Sequence, residues 1–131
     1  MSDAPAHTYV DLDQPELLET LMSDEGGAAV IDFWSPTCGP CMAMARDFEH
    51  VAGQFDPEEV RFYKINTGTH GHLAAPFNIM SVPTILFVLD GEVLDAVVGK
   101  MDARRLGERA EWLLNKKRRR AKGGLLGRLF G

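Results

Sequence analysis

The order of strand-like and helix-like segments is the feature of this sequence that most restricts its fold. Short apolar runs, typical of buried strands, alternate with stretches whose apolar residues recur at helical spacing, and the predicted order is β-α-β-α-β-α-β-β-α. The last two strand-like runs are joined by Asp90-Gly91, a pair that strongly favours a β-hairpin. We therefore predict an α/β fold in which a central mixed β-sheet carries helices on both faces.

The segments themselves are predicted from local signals. A short edge strand is expected near Tyr9-Val10-Asp11, and Asp13 is expected to cap the first helix because Pro15 follows at an early helical position. The other predicted elements are a fully buried strand at 28–34, a helix that follows Cys41 and ends near Ala52, a strand at 60–65, a short helix at 70–77, the hairpin strands at 84–89 and 92–98, and a final helix from Asp102 to about Asn115.

Length and charge divide the chain into a domain and a tail. Its 131 residues, 45% of them hydrophobic, suit one domain, which we place at 9–115 after a flexible N-terminus at 1–8. All 19 acidic residues precede Lys116, whereas residues 116–131 hold 7 of the 14 Lys and Arg residues. An acidic domain of this kind repels polyanions, and a basic tail attracts them.

The first residues show no secretory signal pattern and no apolar run is long enough to span a membrane, so we expect a cytoplasmic protein. Two cysteines are too few for a disulfide-stapled scaffold. Their separation of three residues brings the Cα atoms of one helical turn to roughly the 5.5 Å that a disulfide requires.

Cys38 and Cys41 lie between a predicted buried strand and a predicted helix, and this position suits redox chemistry. The N-terminus of a helix stabilises a thiolate through its free N–H groups and dipole. Cys38, nearer the helix start, is expected to attack, and Cys41, one turn deeper, to resolve the mixed disulfide. Gly39 allows close approach of a partner, and Pro40 suits the first turn. The alternatives are half of a zinc site, for which no histidine has the usual spacing, and two inert core cysteines.

Several separated motifs resemble the thioredoxin family. The stretch 32–41, which contains Cys38-Gly39-Pro40-Cys41, resembles the family's active site, and Ser81-Val82-Pro83-Thr84 resembles its cis-proline loop. Asp90-Gly91-Glu92 and Val98-Gly99 match the late hairpin and the glycine that follows it. The resemblance covers about residues 9–115 and implies the thioredoxin fold. Thr37 and Arg46 depart from the family's usual tryptophan and proline, which leaves partner choice open.

The resemblance also implies roles for residues near the cysteines. Asp32 corresponds to the family's buried carboxylate that handles the proton of Cys41, and Lys64 to its paired cation. Trp34 corresponds to the tryptophan that packs under the active site. A hydrogen-bonded core carboxyl is the alternative for Asp32, an exposed strand lysine for Lys64, and plain core packing for Trp34. A carboxyl buried in an apolar strand has a raised pKa, which suits proton transfer near neutral pH.

The resemblance further implies a client-binding groove beside the cysteines. Pro83 is expected to follow a cis peptide bond, and the backbone of Val82 to pair with an extended substrate by strand addition. Gly99 is expected to keep this groove open. The alternative is an ordinary trans proline at the start of a strand.

The tail at 116–131 combines a basic run with Leu125, Leu126, Leu129 and Phe130, which share one face if this segment is helical. Weak binding to an anionic membrane is one expectation, nucleic acid or an acidic protein is another, and a solvated tail that is disordered when free is the third.

Together these features predict a monomeric thiol–disulfide oxidoreductase that reduces protein disulfides. Its clients are disulfide-containing proteins, it needs no bound cofactor or metal, and by resemblance a thioredoxin-reductase-like flavoprotein supplies its electrons. The alternative is a thioredoxin-fold adaptor or chaperone-like binding protein held by its tail at a membrane or acidic partner. A third possibility is an oxidase or isomerase, which the Gly-Pro spacer disfavours.

Overall fold

A computed structural model describes residues 8–130 of the chain and the side chains of residues 8–123. Its strands are β1 (Val10–Asp11), β2 (Ala28–Trp34), β3 (Arg61–Asn66), β4 (Thr84–Leu89) and β5 (Glu92–Val98). Its helices are α1 (Pro15–Leu21), α2 (Gly39–Ala52), α3 (Gly71–Ala74) and α4 (Ala103–Phe130), and a 3₁₀ turn at Ala75–Phe77 follows α3. The predicted order of elements is confirmed. Residues 1–7 of the expected flexible N-terminus lie outside the described residues.

The five strands form one mixed sheet in the order β1-β3-β2-β4-β5. β1 and β2 run parallel to β3, whereas β4 runs antiparallel to both β2 and β5. Strand β2 therefore lies at the centre, and its residues Ala28 to Phe33 are all buried. This position explains why β2 is a nearly continuous apolar run instead of an alternating one.

Each face of the sheet covers its own hydrophobic cluster. Alternate residues of β2 point to opposite faces, so Val30 and Asp32 share one side and Ile31 and Phe33 the other. The cluster on the side of α2 and α4 includes Val30, Met44, Phe48, Phe87, Leu106 and Leu113. The cluster on the side of α1 and α3 includes Leu18, Leu21, Ile31, Phe33, Ile65 and Leu73. The expectation of helices on both faces is confirmed.

The predicted cap of α1 is wrong by one residue. Gln14, not Asp13, is the N-cap, and it makes no side-chain hydrogen bond to the helix. The residue before a proline is held in the extended region. Gln14 precedes Pro15 and has φ −123° and ψ 130°, so it takes the non-helical cap conformation itself.

The hairpin between β4 and β5 turns through two residues with positive φ, Asp90 at 49° and Gly91 at 82°. A two-residue hairpin loop of this kind matches the right-handed twist of its strands. Asp90 also ties the hairpin to the start of β2, because its Oδ1 accepts a hydrogen bond from Gly27 N at 2.9 Å and its own N–H donates to Gly27 O at 3.0 Å.

Helix α4 does not end near Asn115, where the sequence pattern placed the boundary of a disordered tail. It continues through Phe130. Lys117 Nζ donates to the carbonyl oxygens of Glu58 and Glu59 at 2.8 and 3.0 Å, and Arg118 pairs with the Glu59 carboxylate at 2.8 Å. Arg120 pairs with Glu92 at 3.1 Å. These long-range contacts support the helix beyond the last core residue. The expected apolar face at 125–130 lies outside the described side chains.

We predict that Gly91→Ala lowers the free energy of unfolding by roughly 1–3 kcal/mol, because an L side chain is strained at positive φ. The added Cβ would also collide with the carbonyl oxygen of Met22. Gly107→Ala is the matched control, since its Cβ would meet no atom within 4 Å and lies in α4. We expect this control to raise stability by about 0.5–1 kcal/mol. Urea denaturation measures both, and equal effects would contradict the account.

Candidate functional site

Cys38 and Cys41 form a disulfide at the N-terminus of α2. Cys38 is the N-cap, with extended φ −94° and ψ 111°, and Cys41 lies in the first helical turn. Their Cα atoms are 5.2 Å apart, within the range that a disulfide spans. Because one turn of rigid helix sets this separation, the bond can open and close with little movement of the backbone.

The two sulfurs differ in access to solvent. Cys41 is 1% exposed, whereas Cys38 is half-buried and is followed by the exposed residues Gly39 and Pro40. A client disulfide can therefore reach Cys38 and not Cys41. The backbone N–H of Cys41 donates to Cys38 Sγ at 3.1 Å. The same hydrogen bond, together with the positive end of the helix dipole, stabilises negative charge on this sulfur after reduction.

The loop before β4 closes over the outer sulfur. The Val82–Pro83 peptide bond is cis, and the carbonyl oxygen of Val82 lies 3.6 Å from Cys38 Sγ. Gly99 N donates to Pro83 O at 2.8 Å, which fixes the loop to the end of β5. Gly99 has φ 106°, and an added Cβ would meet no atom within 4 Å. The positive φ favours glycine at this position for its backbone conformation, and an added side chain would extend into open space, so the role of Gly99 in keeping the groove open stays a prediction.

A buried ion pair lies on the face of the sheet that α2 covers. Asp32 is fully buried, Lys64 is 5% exposed, and Lys64 Nζ lies 4.0 Å from Asp32 Oδ2. Strand register brings them together, because Asp32 and Lys64 are paired neighbours on β2 and β3. The low exposure of Lys64 excludes the alternative of an exposed strand lysine.

The buried carboxyl of Asp32 has a raised pKa. Burial raises its pKa from 3.8 to about 7, and the nearby Lys64 ammonium only partly opposes this rise. Neither carboxylate oxygen has a hydrogen-bond partner among the described residues. The alternative of a hydrogen-bonded core carboxyl is therefore not supported, because such a group would be expected to have its oxygens satisfied.

Aromatic rings surround the ammonium of Lys64. Its Nζ lies 4.5 Å from the ring centre of Trp34, 5.2 Å from that of Tyr9 and 5.8 Å from that of Phe48. Ring faces attract cations, so these three residues offset part of the cost of burying the charge. Trp34 thus links the cation to the end of β2, four residues before Cys38.

Sequence reasoning missed one residue that holds this region. Thr67 donates to the carbonyl oxygen of Trp34 from both its backbone N, at 2.8 Å, and its Oγ1, at 3.2 Å. No local pattern signals a contact across 33 residues.

Within residues 8–123, no group of three or more His, Cys, Asp or Glu side chains is placed to hold a metal ion. None of the helices in the described part of the chain is long and apolar enough to cross a membrane.

A family model and known proteins with similar sequences all indicate the same family. The family model described as Thioredoxin matches residues 10–111. The chain is 35% identical over 82 residues to thioredoxin M-type, chloroplastic, of Pisum sativum, an alignment that covers 63% of this chain and 47% of the pea protein. The aligned part thus spans about half the length of that relative. Thioredoxin 1 of Synechococcus elongatus is 35% identical over 99 residues, which cover 76% of this chain and 86% of that protein.

The fold is also similar to that of solved structures. The crystal structure of the Malassezia sympodialis thioredoxin Mala s 13 superimposes with a TM-score of 0.74 at 25% identity, covering 87% of this chain and 97% of that one.

The raised pKa of Asp32 predicts a pH-dependent stability. Between about pH 4 and 7 the folded state holds a proton that the unfolded chain has lost, so stability falls as pH rises through this window. Asp32→Asn removes this loss. At pH 8 the oxidised variant should be more stable than the wild type by up to about 4 kcal/mol, a figure that already includes the attraction of Lys64, and the advantage should shrink toward pH 4.

Urea denaturation across this pH range measures the effect, with exposed Glu111→Gln as the control. A pH-independent difference between Asp32→Asn and the wild type would contradict the assignment of a raised pKa.

Proposed function

The chain belongs to the thioredoxin family, and from this premise we propose a cycle in which Cys38 and Cys41 reduce disulfide bonds of client proteins. The protein is a thiol–disulfide oxidoreductase. The observation that carries the proposal is the pair itself, which forms a disulfide at a helix N-terminus with only Cys38 accessible.

The cycle balances as two exchanges. The Cys38 thiolate attacks one sulfur of a client disulfide, a mixed disulfide forms, and the client's other sulfur leaves as a thiolate. The Cys41 thiolate then attacks Cys38 Sγ and releases the second client sulfur. The client gains two electrons and, after protonation, two protons, while this chain ends as the Cys38–Cys41 disulfide seen in the structure.

The buried carboxyl supports the second exchange. Cys41 is a poor nucleophile while it carries its proton, and its burial keeps bulk water away. Asp32 lies on the sheet face that α2 covers, and its pKa of about 7 lets it accept this proton at neutral pH. Lys64 limits the rise of that pKa and therefore tunes the proton acceptor.

The client-binding residues form the rim of the site. The backbone of Val82 is offered to an extended client segment beside Cys38, in the manner of strand addition. Pro83 and Gly99 hold that loop in place, and the exposed Gly39 and Pro40 leave room for the approaching disulfide. Trp34 contributes through its contact with the ammonium of Lys64, the cation paired with Asp32.

The cycle has to be closed by an external reductant. A reductase of the thioredoxin-reductase class reduces the Cys38–Cys41 disulfide again, and no bound cofactor is required on this chain for that step. We place this cycle in the cytoplasm, where a supply of electrons keeps thiols reduced, and we propose that the protein acts as a monomer. Size-exclusion chromatography with light scattering tests the monomer.

The competing proposal is an adaptor whose redox activity is vestigial. Turnover of insulin disulfides distinguishes the two functions. The wild type should reduce insulin disulfides catalytically. Cys38→Ser should not, because this substitution removes the attacking sulfur. Cys41→Ser should accumulate a mixed disulfide that is visible on a non-reducing gel, because it removes only the resolving sulfur. Thr37→Ser, an exposed neighbour, is the control and should keep its activity. Turnover retained in Cys38→Ser would contradict the mechanism.

We also propose that the basic end of α4 contacts an anionic membrane surface. Lys117, Arg118 and Arg120 are engaged by the domain, whereas Arg119 and Lys122 are exposed. Each basic residue near an anionic surface contributes about 1 kcal/mol. The leucines and phenylalanine that follow in the sequence add the apolar component of such binding.

Vesicle co-sedimentation tests this contact. The wild type should bind phosphatidylserine-containing vesicles and not phosphatidylcholine vesicles, and the double variant Arg119→Glu/Lys122→Glu should bind at least about tenfold more weakly. The matched control Arg104→Glu/Arg105→Glu changes the same charge near the start of α4 and should bind normally. Binding to nucleic acid without binding to anionic vesicles would overturn the membrane proposal.

A further inference from the structure

The surface that carries Cys38 is built from uncharged stretches of chain. Residues 33–45 and residues 65–89 contain no Asp, Glu, Lys or Arg. The first stretch contains the cysteine pair, and the second contains Val82, whose carbonyl oxygen lies against Cys38 Sγ. All 19 acidic residues and all 14 Lys and Arg residues therefore lie outside these two segments of the sequence. A client that contacts the side chains of these segments forms no Asp, Glu, Lys or Arg ion pair with them.

A groove of about 440 Å³ leads away from the reactive sulfur. It reaches the site at Val82, and small residues of α3 and the 3₁₀ turn leave space along its wall. Its lining includes Thr67, Gly71, Ala75, Asn78, Met80 and Val82. The residues that line the groove include no Asp, Glu, Lys or Arg.

Met80 is a large apolar side chain in this groove that is not buried by the rest of the domain. It is 85% exposed, more than any other large hydrophobic residue of the described chain. Its position is fixed on both sides, because Asn78 turns the chain with φ 57° and Ser81 O accepts a hydrogen bond from Thr84 Oγ1 at 2.7 Å. An apolar side chain held in water contributes little to stability, but it gains free energy when a partner covers it.

We propose that Met80 determines client specificity by packing against an apolar or aromatic residue of the client segment that lies in this groove. The proposal rests on the reductase function above and names its client class: an uncharged, extended segment with a large apolar residue close to the attacked disulfide. Met80 and Val82 are two positions apart in the chain, a span of at most about 7 Å. The client residue therefore lies within about two positions of the client cysteine. The flexible thioether accommodates different apolar partners.

A double-mutant cycle between protein and substrate tests this contact. The substrates are two disulfide peptides that differ only in Leu or Ser at the position two residues from the attacked cysteine. For the Leu peptide, Met80→Ser should raise KM about tenfold with kcat unchanged, because the lost contact forms in the ground state. For the Ser peptide it should have little effect. Met80→Leu should restore the low KM, and Val93→Ser, another exposed apolar site, should change neither.

Two further measurements separate this proposal from the reductase function. Reduction of a small disulfide that does not reach the groove should be equal in wild type and Met80→Ser, and its absence in the wild type would defeat the reductase function instead. The second measurement uses the Leu peptide with its cysteines replaced by serine. Its affinity for the oxidised protein, measured by NMR titration, should be about tenfold weaker for Met80→Ser than for the wild type. The affinity of the wild type for this peptide should change less than about twofold between 0.05 and 0.5 M salt. Equal effects of Met80→Ser on both peptides, or strong salt dependence, would overturn the proposal.

Discussion

One helix turn that begins at a cysteine is the element on which the chemistry depends. Cys38 occupies the N-cap of α2, where a serine or aspartate would ordinarily accept a backbone hydrogen bond, and its sulfur accepts that bond from Cys41 N. In the proposed cycle, the residue that caps the helix is thus also the nucleophile. Because a rigid turn sets the distance to Cys41, the reaction needs no rearrangement of the fold. The central strand β2 places this turn at the end of the sheet, beside the loop that ends in Pro83.

The charged residues are distributed unevenly between the region around the sulfurs and the rest of the domain. The segments around the sulfurs have no Asp, Glu, Lys or Arg residue of their own, and the buried pair of Asp32 and Lys64 lies in the interior. The ion pairs of Arg120 with Asp90 and Glu92 lie at the other end of β4, near the hairpin. A polyanion attracted to the basic end of α4 therefore does not approach Cys38, and the two surfaces can be occupied independently.

The sequence predicted the elements that depend on local chemistry. The Asp90-Gly91 hairpin, the position of the cysteines at the start of a helix and the mixed sheet all follow from neighbouring residues, and all are present. The cap at Asp13 was wrong because the restriction that Pro15 places on Gln14 outweighs the cap preference of an aspartate.

Features that depend on distant contacts were beyond the sequence. The extension of α4 rests on acceptors supplied by Glu58 and Glu59, and the burial of Lys64 rests on strand register and three aromatic rings. The exposure of Met80 likewise depends on how the chain turns at Asn78. The resemblance to a family supplied what local patterns did not, namely the pairing of Asp32 with Lys64 and the cis bond before Pro83.

The central claim is that the thiolate of Cys38 is stabilised because this residue caps a helix. The rate of alkylation of reduced protein by iodoacetamide, followed by mass spectrometry from pH 5 to pH 10, tests it most directly, with a short peptide that contains one cysteine as reference. The account predicts that Cys38 reacts at half its maximal rate about one pH unit or more below the peptide thiol, while the buried Cys41 stays largely unmodified. A profile for Cys38 that coincides with that of the peptide would contradict it.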